Sequence, residues 1–550
     1  MTGLATAVAG LEILSEAPAS QLVRDLIAGD VRLAPFYAGH PRDPDAYRRK
    51  AESVSARLGS DARRRVADGV HATTAAAASK WERVLRGDGV LVTTGQQAGL
   101  FGGPLYTLNK ILCAIRLAET LESRLNRPVA PMFWVAADDH DWAEVDHTYV
   151  VDGTNQVRRI TVASPPDAPP MPMSDRRLGE GITGALDELE TLLPSSEFAA
   201  RYLDLIRAAY RPDATVAGAF LALIRGLFAD FDLLIVDPSH ASVKQAAAPV
   251  LQHELAHAAE HAAILTRHSQ RLERAGYGVQ VPVSEDASNV LFHDDEGRER
   301  LVREDGRWTL RRTKRELSDA DVQDLLRREP VRFSPNVLLR PVVESAVFPT
   351  IAYVGGPSEI AYFAQIGCLF LAHGIEPPIA VPRVSATLIE GKVRKVLDKF
   401  GIDVDDVRRP FHEVATQRVR DEMPDAVTAP LARLRSAIRM EYDHARDTAA
   451  AIDPTLRKWM EGVRNSSLAT VDDAEKKVAS HLKKRSEVEL EQLRKAAVNL
   501  YPENAPQERV LNGIPYLARY GGGVMRDLAR AMQQELEGGT PEWTGVRCDG

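Results

Sequence analysis

Residues 90–99 read Val90-Leu91-Val92-Thr93-Thr94-Gly95-Gln96-Gln97-Ala98-Gly99, an apolar and β-branched run that ends in a glycine turn. The run predicts a buried strand, and Gly102-Gly103-Pro104 then opens a predicted helix that ends near Arg124. Residues 129–137 predict a second apolar strand, followed directly by an acidic turn at residues 138–141. Because ligands of open parallel sheets bind outside the carboxyl ends of the strands, we expect the chemistry at this edge.

The composition is that of an ordinary globular protein with room for two or three folding units. The chain has 550 residues, of which 44% are hydrophobic and 27% are charged. Its net charge of −8 gives no reason to expect nucleic-acid binding. No apolar run reaches the roughly 20 residues of a membrane span, so we expect no membrane association.

The sequence favours a cytoplasmic location. The N-terminus contains Glu12 and lacks the basic start of a signal peptide. The three cysteines, Cys113, Cys368 and Cys548, are far apart in the sequence. Their spacing indicates a reducing compartment and argues against a disulfide framework or a cysteine-rich zinc site.

Strand and helix patterns alternate along most of the chain, which is typical of an α/β protein with a doubly wound parallel sheet. We predict a Rossmann-like core at residues 89–400, preceded by a helical part at residues 1–88. Two segments, at about residues 147–215 and 276–330, interrupt the alternation and are predicted to be insertions. Residues 243–275 are predicted to form one long helix, and residues 385–400 another.

The pattern changes near residue 425 to apolar residues spaced three and four apart, which predicts a coiled coil. Two long helices joined near residues 465–467 are expected to form a helical hairpin at residues 425–500. Asp453-Pro454 interrupts this seam of regularly spaced apolar residues, so we expect a kink or a helix restart there. Helices and a tail are predicted at residues 501–550. The seam favours a homodimer, although its aromatic residues could equally pack within the hairpin.

Two glycine turns follow predicted strands, at Gly102-Gly103 and at Gly355-Gly356. Each precedes a proline, Pro104 or Pro357, that suits the first turn of a helix. A helix N-terminus can hold a phosphate or a carboxylate because its first N–H groups are unpaired. The glycines either expose such a site or only allow tight turns, and the sequence leaves both interpretations open.

The acidic turn at residues 138–141 (Asp-Asp-His-Asp) is the sharper signal. Three carboxylates around an imidazole are costly to hold together unless solvent, a metal or a substrate ammonium group compensates. The turn could contain a general base that deprotonates an amine, an oxygen-rich magnesium site, or a solvated cap of the next helix. We favour a functional role over the solvated cap.

Residues 253–257 match H-E-x-x-H, which places two metal ligands and a general base on one helix face in zinc proteases. His253, Glu254 and His257 therefore define a second function hypothesis, a zinc metallopeptidase. His261 and His268 extend the same polar stripe, and no third ligand stands at an obvious spacing. We therefore favour a solvated helix face. The P-loop sequence does not occur in the chain.

Five blocks of sequence carry a family resemblance: Thr94-Gly95-Gln96-Gln97-Ala98-Gly99-Leu100 with Gly103-Pro104-Leu105-Tyr106; Phe133-Trp134-Val135-Ala136 with Asp139-His140-Asp141; Ser334-Pro335-Asn336-Val337-Leu338-Leu339-Arg340-Pro341; Phe348-Pro349-Thr350 with Tyr353-Val354-Gly355-Gly356-Pro357 and Glu359-Ile360-Ala361-Tyr362; and Leu500-Tyr501-Pro502 with Gln507-Glu508-Arg509. They resemble the cysteine-adding enzymes of bacillithiol biosynthesis, the BshC family, and they follow the family's order from about residue 90 to 520. The resemblance covers nearly the whole chain.

The resemblance implies a Rossmann-like core with inserted segments and a C-terminal coiled coil that often forms a dimer. It implies the last step of bacillithiol synthesis, in which an amide bond joins L-cysteine to glucosaminyl-malate. The family's core is similar to nucleotidyltransferases and class I tRNA synthetases, although Gly95-Gln96-Gln97 stands where their histidine pair follows the first strand. Because a carboxylate must be activated before it forms an amide, we expect ATP, with or without Mg, as cosubstrate.

On this hypothesis His140 is the base, oriented by Asp139 or Asp141. Substrate groups are expected to bind at and near the glycine turns, at Gly95, Gln96, Gln97, Gly99, Tyr353, Gly355, Gly356, Glu359 and Arg383. No residue is assigned to a metal. The alternatives to a ligase are the zinc metallopeptidase and a non-enzymatic assembly protein that uses its coiled coil.

Overall fold

The computed structural model describes residue 8 and residues 10–163, 168–409, 411–421, 423–485 and 487–536. The chain divides into two compact units. The first unit contains the residues up to Leu388 and those from Gln507 onward, and the second unit is Ile389–Pro506. The end of the predicted C-terminal tail, with Cys548, lies outside the described residues.

The described residues contain these strands: β1 (Leu11–Glu16), β2 (Val70–Ala72), β3 (Val90–Gln96), β4 (Val129–Val135), β5 (His147–Val151), β6 (Val157–Thr161), β7 (Leu234–Val236), β8 (Ala287–Asp294), β9 (Gly297–Glu304), β10 (Arg307–Leu310), β11 (Arg315–Leu317), β12 (Phe333–Pro335), β13 (Thr350–Gly355), β14 (Ile379–Pro382) and β15 (Ser385–Glu390).

The α-helices of the described residues are α1 (Gln21–Ala28), α2 (Pro44–Arg57), α3 (Ser60–Arg64), α4 (Ala75–Arg86), α5 (Tyr106–Leu125), α6 (Trp142–Val145), α7 (Gly181–Leu192), α8 (Ala199–Ala209), α9 (Val216–Leu227), α10 (Ala241–Ala256), α11 (Ala258–Arg274), α12 (Asp319–Arg328), α13 (Arg340–Val347), α14 (Pro357–Ala372), α15 (Gly391–Phe400), α16 (Val404–Val407), α17 (Phe411–Asp421), α18 (Asp425–Ile452), α19 (Leu456–Arg485), α20 (Glu487–Leu500), α21 (Gln507–Val510), α22 (Ile514–Tyr520) and α23 (Gly523–Leu536). None of these helices has both the length and the apolar character that crossing a membrane requires.

The central sheet of the first unit has the strand order β14-β13-β3-β4-β7-β2 within the described residues. Five of these strands run parallel, and β2 at the edge runs antiparallel to β7. β3 and β4 pair along their whole length, from Val90 opposite Val129 to Gln96 opposite Val135. The carboxyl ends of β13, β3 and β4 therefore lie side by side, and the predicted Rossmann-like parallel sheet is confirmed.

Side chains of the sheet alternate between two separate hydrophobic cores, so the sheet is covered on both faces. In β4, Phe133 and Val135 lie in the core that contains residues of α5, α9 and α23. Met132 and Trp134 lie in the core that contains residues of α4, α10 and α14. A strand buried on both faces reads as a continuous apolar run, which is why the sequence shows β4 so clearly.

Two antiparallel elements interrupt the parallel sheet. β5 and β6 form a hairpin, and Asp152 Oδ1 accepts the N–H groups of Thr154 (2.8 Å) and Gln156 (3.0 Å) in its turn. A second sheet, with the order β11-β10-β9-β8-β12 among the described residues, follows α11. The hairpin and strands β8 to β11 lie within the segments that the sequence predicts to be insertions, whereas β12 lies just beyond the second segment.

The second unit contains a long helical hairpin of α18 and α19. Ion pairs show that these helices run antiparallel, since Arg435 contacts Asp472 (2.8 Å) and Asp443 contacts Arg464 (2.5 Å). The predicted join near residues 465–467 is wrong, because α18 ends at Ile452 and α19 begins at Leu456. Asp453 has φ −147° and ψ 121° because the following proline disfavours the helical conformation of the residue before it.

The predicted helix at residues 385–400 is also wrong, because β15 occupies its first half and α15 its second. β15 pairs with β1. The side-chain amide of Gln507 accepts the N–H of Leu388 (2.8 Å) and donates to its carbonyl (2.9 Å). β1 and Gln507 are distant from β15 in sequence, so local residues do not reveal this pairing. The pairing overrides the helical pattern of the local residues.

Residues 243–275 form two helices and not the single predicted one. α10 ends before His257, which has φ −119° and ψ 20°, and α11 starts at Ala258. Glu254 accepts a hydrogen bond from Nδ1 of His261 (2.6 Å). Positions seven apart lie about 10 Å apart along a straight helix, and the break at His257 lets the two side chains meet.

Asn512 holds the turn between β3 and α5 from the C-terminal end of the first unit. Its side chain is 1% exposed. Its Nδ2 donates to the carbonyls of Phe101 and Gly103 (3.0 Å each) and to Thr148 Oγ1 (3.0 Å). Its Oδ1 accepts the N–H of Ile514 (2.8 Å). Phe101 has φ 52°, an uncommon conformation for a non-glycine residue, and this clamp stabilises it.

We predict that Asn512→Ala lowers the free energy of unfolding by about 1–3 kcal/mol, because buried backbone groups lose their partner. Urea denaturation followed by circular dichroism measures the change. Gln156→Ala removes an exposed side-chain amide from the same unit, and its effect should stay within about 0.5 kcal/mol. Equal effects of the two substitutions would contradict the clamp.

Candidate functional site

A cavity of about 530 Å³ opens at the carboxyl edge of the central sheet. This volume lies within the range of small-molecule sites, roughly 300–1,000 Å³. Its lining comes from the ends of β3, β4 and β13, from α5 and α14, from the antiparallel sheet, and from α21. The carboxyl ends of these strands therefore bring polar residues together at one cavity, as we expect from the sequence.

Most of the residues expected at a site line this one cavity. They are Gly95, Gln96, Gln97, Asp139, His140, Tyr353, Gly356, Glu359 and Arg383. Gly99, Asp141 and Gly355 do not line it. Gly99 instead borders a smaller neighbouring pocket, Asp141 is exposed before α6, and the carbonyl of Gly355 accepts the N–H of Arg383 (2.8 Å).

The close packing of the turn explains why position 99 is a glycine. A Cβ atom at Gly99 would lie 2.9 Å from the Cα of Gly103, closer than real side chains approach. Gly103 itself has φ 71°, which favours glycine. For these two positions the tight-turn interpretation is sufficient.

A buried ion pair connects the end of β3 with the glycine turn at Gly355-Gly356. Lys110, from α5, donates to the carbonyl of Gly95 (2.9 Å) and to Gln96 Oε1 (2.8 Å), and it pairs with Glu359. Glu359 Oε2 also accepts the N–H of Gly356 (2.8 Å), and its Oε1 accepts the hydroxyl of Tyr353 (2.6 Å). The carboxylate of Glu359 is thus engaged by the protein, and its geometry favours positioning Lys110 over binding a substrate charge.

Burial and pairing act in opposite directions on this pair. Burial lowers the pKa of Lys110, and Glu359 opposes that shift. Burial alone would raise the pKa of Glu359, but the Lys110 ammonium and the hydrogen bonds lower it overall. The attraction between the two groups therefore offsets part of the desolvation that burial imposes on them, and both line the cavity.

The acidic turn at residues 138–141 does not act as one cluster. Asp138 forms an ion pair with buried Lys244 (2.5 Å). Asp139 Oδ2 accepts Gln97 Nε2 (2.8 Å), and its Oδ1 accepts the backbone N–H of His140 (2.7 Å). Burial would raise the pKa of Asp139, but Gln97 and Arg298 lower it overall. Asp138 and Asp139 therefore each have their own compensating partner, and Asp141 is exposed.

His140 is oriented by an arginine and not by the expected aspartates. Arg298 Nη1 donates to Nδ1 of His140 (3.0 Å), whereas Asp139 Oδ1 lies 3.8 Å from the same nitrogen. Burial and Arg298 lower the pKa of His140, so the ring is neutral at pH 7. A guanidinium only donates, so Nδ1 must accept and the proton of the neutral ring lies on Nε2. In this tautomer His140 offers the cavity a donor, which does not suit the expected role of a base.

Glu144, from α6, lines the cavity beside Asp139 and was missed in the sequence. Gln97 Nε2 donates to its carboxylate as well as to that of Asp139. Burial raises the pKa of Glu144, with a further contribution from Asp139 and Asp141 and an opposing one from Gln97. A carboxylate with a raised pKa is suited to accepting a proton near neutral pH.

Two arginines on the cavity carry nitrogen atoms without a partner. Arg340 Nη2 and Arg383 Nε are buried and make no hydrogen bond within the described residues. A second nitrogen of each group is held, since Arg340 Nη1 pairs with Glu344 (2.6 Å) and Arg383 Nη1 with Glu508 (2.7 Å). Fixed guanidinium groups with a free N–H suit a carboxylate or a phosphate.

Further cavity residues were not predicted: Tyr106, Lys110, Arg298, Arg340 and Arg509 line it as well. Arg340 and Arg509 lie in blocks of the family resemblance, which is the signal that could have indicated them. Lys110 and Arg298 lie in an ordinary helix and an ordinary strand, and nothing in their local sequence marks them.

The H-E-x-x-H segment lies elsewhere, and none of its residues lines the cavity. Glu254 is fully buried and accepts hydrogen bonds from His261, His373 and Asn289. The favoured interpretation of a solvated helix face is wrong at Glu254, His261 and His268, which are at most 2% exposed. Because its oxygens are enclosed, Glu254 cannot activate a water as a peptidase base does.

These features define a class of protein, a Rossmann-like domain with a ligand cavity at the carboxyl edge of its sheet and a separate coiled-coil unit. The chain belongs to the BshC family of bacillithiol biosynthesis. Residues 9–384 match the family model described as Bacillithiol biosynthesis BshC, N-terminal Rossmann-like domain. Residues 386–537 match the model of the C-terminal coiled-coil domain of the same family.

Similar proteins cover most of the chain. A protein of Salinibacter ruber is 34% identical over 449 residues, which is 82% of either chain. A protein of Koribacter versatilis is 35% identical over 454 residues, 82% of this chain and 83% of the relative. A protein of Heliobacterium modesticaldum is 34% identical over 488 residues, 86% and 87% respectively. The name of each contains the words cysteine ligase BshC.

We predict that Lys110→Met lowers the free energy of unfolding by about 3–5 kcal/mol, because it leaves the Glu359 carboxylate buried without its partner. Adding Glu359→Gln should restore part of that loss. Denaturant titration of the single and double variants measures the coupling.

Lys80→Met is the matched control, since it breaks a partly exposed pair with Glu122 and should cost less than about 1 kcal/mol. Additive effects of the Lys110 and Glu359 substitutions would contradict the proposed coupling.

Proposed function

We propose that the protein is a ligase that joins L-cysteine to the amino group of glucosaminyl-malate, forming an amide bond in the last step of bacillithiol biosynthesis. Membership of the BshC family and the names of the relatives support this proposal. The observation that carries it is the single cavity at the strand ends, which combines a carboxylate of raised pKa with two partly unpaired guanidinium groups.

The reaction requires an activated carboxylate. We propose that an oxygen of the cysteine carboxylate bonds to a phosphorus atom of ATP and displaces ADP or pyrophosphate. The amine of glucosaminyl-malate then attacks the carbonyl carbon, and the phosphate or AMP leaves with that oxygen. Where Mg²⁺ accompanies ATP, Asp139 is a cavity carboxylate of the kind that it prefers.

Anionic groups of the substrates would bind the guanidinium groups. Arg340 Nη2 and Arg383 Nε each lack a partner within the described residues. The malyl group carries two carboxylates and ATP carries phosphates, and the charge of the two guanidinium groups on the cavity would attract either. Gln96 and Gln97 border the same cavity with their side-chain amides, so they remain candidates for contacts with sugar hydroxyls.

The amine must lose a proton when the amide forms. We assign this role to Glu144, because its raised pKa suits a base and it lines the cavity. His140, with its proton on Nε2, would donate a hydrogen bond to the carbonyl or phosphoryl oxygen that gains charge. Gln97 would position Glu144, since its amide bridges Asp139 and Glu144, and Arg298 would position the ring of His140.

We also propose that the coiled coil forms a homodimer. Large apolar side chains are exposed on the second unit, including Met440 (64%), Ile452 (82%) and Trp459 (63%). A second copy of the chain would bury them. Light scattering should give twice the mass of the chain, and a monomeric mass would contradict this proposal.

The assay that tests the ligase proposal combines the purified full-length protein with L-cysteine, glucosaminyl-malate, ATP and Mg²⁺. Mass spectrometry should show a thiol product whose mass equals both substrates less one water, formed only when ATP is present. Absence of this product with every nucleoside triphosphate tried would contradict the proposal.

We predict that Glu144→Gln lowers kcat by about 10²–10⁴-fold, because the general base is lost. In the unmodified enzyme kcat should rise with pH through the raised pKa of Glu144, since the base acts when unprotonated. The variant should lose this rise. Glu188→Gln, at an exposed position of α7, should leave kcat and its pH profile unchanged. An unchanged pH profile in Glu144→Gln would contradict the assignment.

A further inference from the structure

Three histidines from separate helices meet on the face of the sheet covered by α10, α11 and α14. They are His253 of α10, His261 of α11 and His373, which directly follows α14. One ring nitrogen of each lies within 4.8 Å of one ring nitrogen of each of the others. The ring centroids of His261 and His373 are 4.8 Å apart, and that of His253 lies 4.9 Å from His373.

A buried carboxylate sets the protonation of two of these rings. Glu254 Oε2 accepts Nδ1–H of His261 (2.6 Å) and Nε2–H of His373 (3.0 Å). Its Oε1 accepts Nδ2 of Asn289 (2.7 Å). A neutral imidazole with one nitrogen donating keeps a lone pair on the other. His261 therefore has its lone pair on Nε2, and His373 has its lone pair on Nδ1.

The ring of His253 carries a buried nitrogen atom, Nδ1, that lacks a hydrogen-bond partner within the described residues. Leaving such an atom unsatisfied is costly, so an orphan of this kind needs a ligand to explain it. The rings of His253 and His373 are in contact, so a bound ion could satisfy this atom and the lone pairs of the other two rings together.

We propose that His253, His261 and His373 bind one divalent transition-metal ion of the zinc class, with water in the fourth position. Imidazole nitrogen is a preferred ligand of Zn²⁺, whereas Mg²⁺ prefers oxygen. Histidine ligands of metals commonly donate their other N–H to a carboxylate, which is the arrangement that Glu254 provides. The ion would tie the break between α10 and α11 to the end of α14.

The spacing is compatible with a bound ion after small side-chain rotations. Nitrogens that share a tetrahedral zinc ion at about 2.1 Å lie roughly 3.4 Å from one another. One ring nitrogen of each histidine lies within 4.8 Å of one nitrogen of each other ring, so ring rotations would be needed to bring the three lone pairs to that distance. The site does not depend on the proposed ligase activity, because none of the three histidines lines the cavity.

The proposed ligands differ from those that the H-E-x-x-H pattern would name. That pattern pairs His253 with His257 and makes Glu254 the base. His257 is exposed, its Nδ1 contacts the carbonyl of His253 (2.9 Å), and it is absent from the three-histidine group. Glu254 orients two ligands and is enclosed. The proposed metal site is therefore not a peptidase centre.

The test measures metal binding to the full-length protein without an affinity tag. After dialysis against a chelator and then against buffered Zn²⁺, elemental analysis should find one zinc per chain. His253→Ala removes a ligand without breaking a hydrogen bond of Glu254, and it should bind at least about 100-fold more weakly in a competition titration with a zinc indicator. His257→Ala is the matched control and should retain the affinity of the unmodified protein.

Two outcomes would overturn the proposal. The first is an unmodified protein that binds no stoichiometric zinc or cobalt. The second is a His257→Ala variant that loses its affinity as His253→Ala does, which would favour the sequence pattern. Cobalt substitution gives an independent readout, because visible absorption bands of a nitrogen-coordinated Co²⁺ should appear with the unmodified protein and disappear with His253→Ala. Thermal unfolding with and without Zn²⁺ shows in the same samples whether the variant is folded.

Discussion

The buried ammonium group of Lys110 is the contact on which the cavity depends. It donates a hydrogen bond to the carbonyl of Gly95 at the end of β3 and forms an ion pair with Glu359 in the first turn of α14. Removing an ammonium group from water costs several kcal/mol unless its partners are in place. β3, α5 and α14 must therefore meet in one arrangement, and that arrangement places Gly95 and Gly356 on the same cavity. These two glycines lie more than 200 residues apart in sequence, and this one side chain joins the end of β3 to the first turn of α14.

The sequence was sufficient for the fold because buried parallel strands leave a strong local pattern. β4 and β13 are continuous apolar runs, since both faces of the sheet are covered. The strand-end rule then located Gln97, His140 and Gly356 at one edge. The sequence pattern did not reveal where the two long helices of the second unit join, because proline geometry determines that position. It did not reveal the strand β15 either, because β15 forms by pairing with a distant segment.

Roles in the site were harder to predict than positions, since they depend on contacts between distant residues. Arg298 lies in an inserted strand and bonds His140 across 158 positions, so no local pattern shows which tautomer the ring adopts. Lys244 separates Asp138 from the other acidic groups in the same way. The H-E-x-x-H segment shows the reverse case. Its pattern is clear in the sequence, yet the structure groups His253 with His261 and His373.

Most charges on the cavity are already paired, and this restricts what a substrate must supply. Lys110 with Glu359, and Asp139 with its hydrogen bonds, form a fixed field that needs no rearrangement when a ligand binds. Arg340 Nη2 and Arg383 Nε remain without partners among the described residues. Arg340 and Arg383 both line the cavity, so their positive charge favours a ligand with anionic groups. The proposed substrate carries two carboxylates beside its amine, whereas free glucosamine lacks them and would bind more weakly on the same grounds.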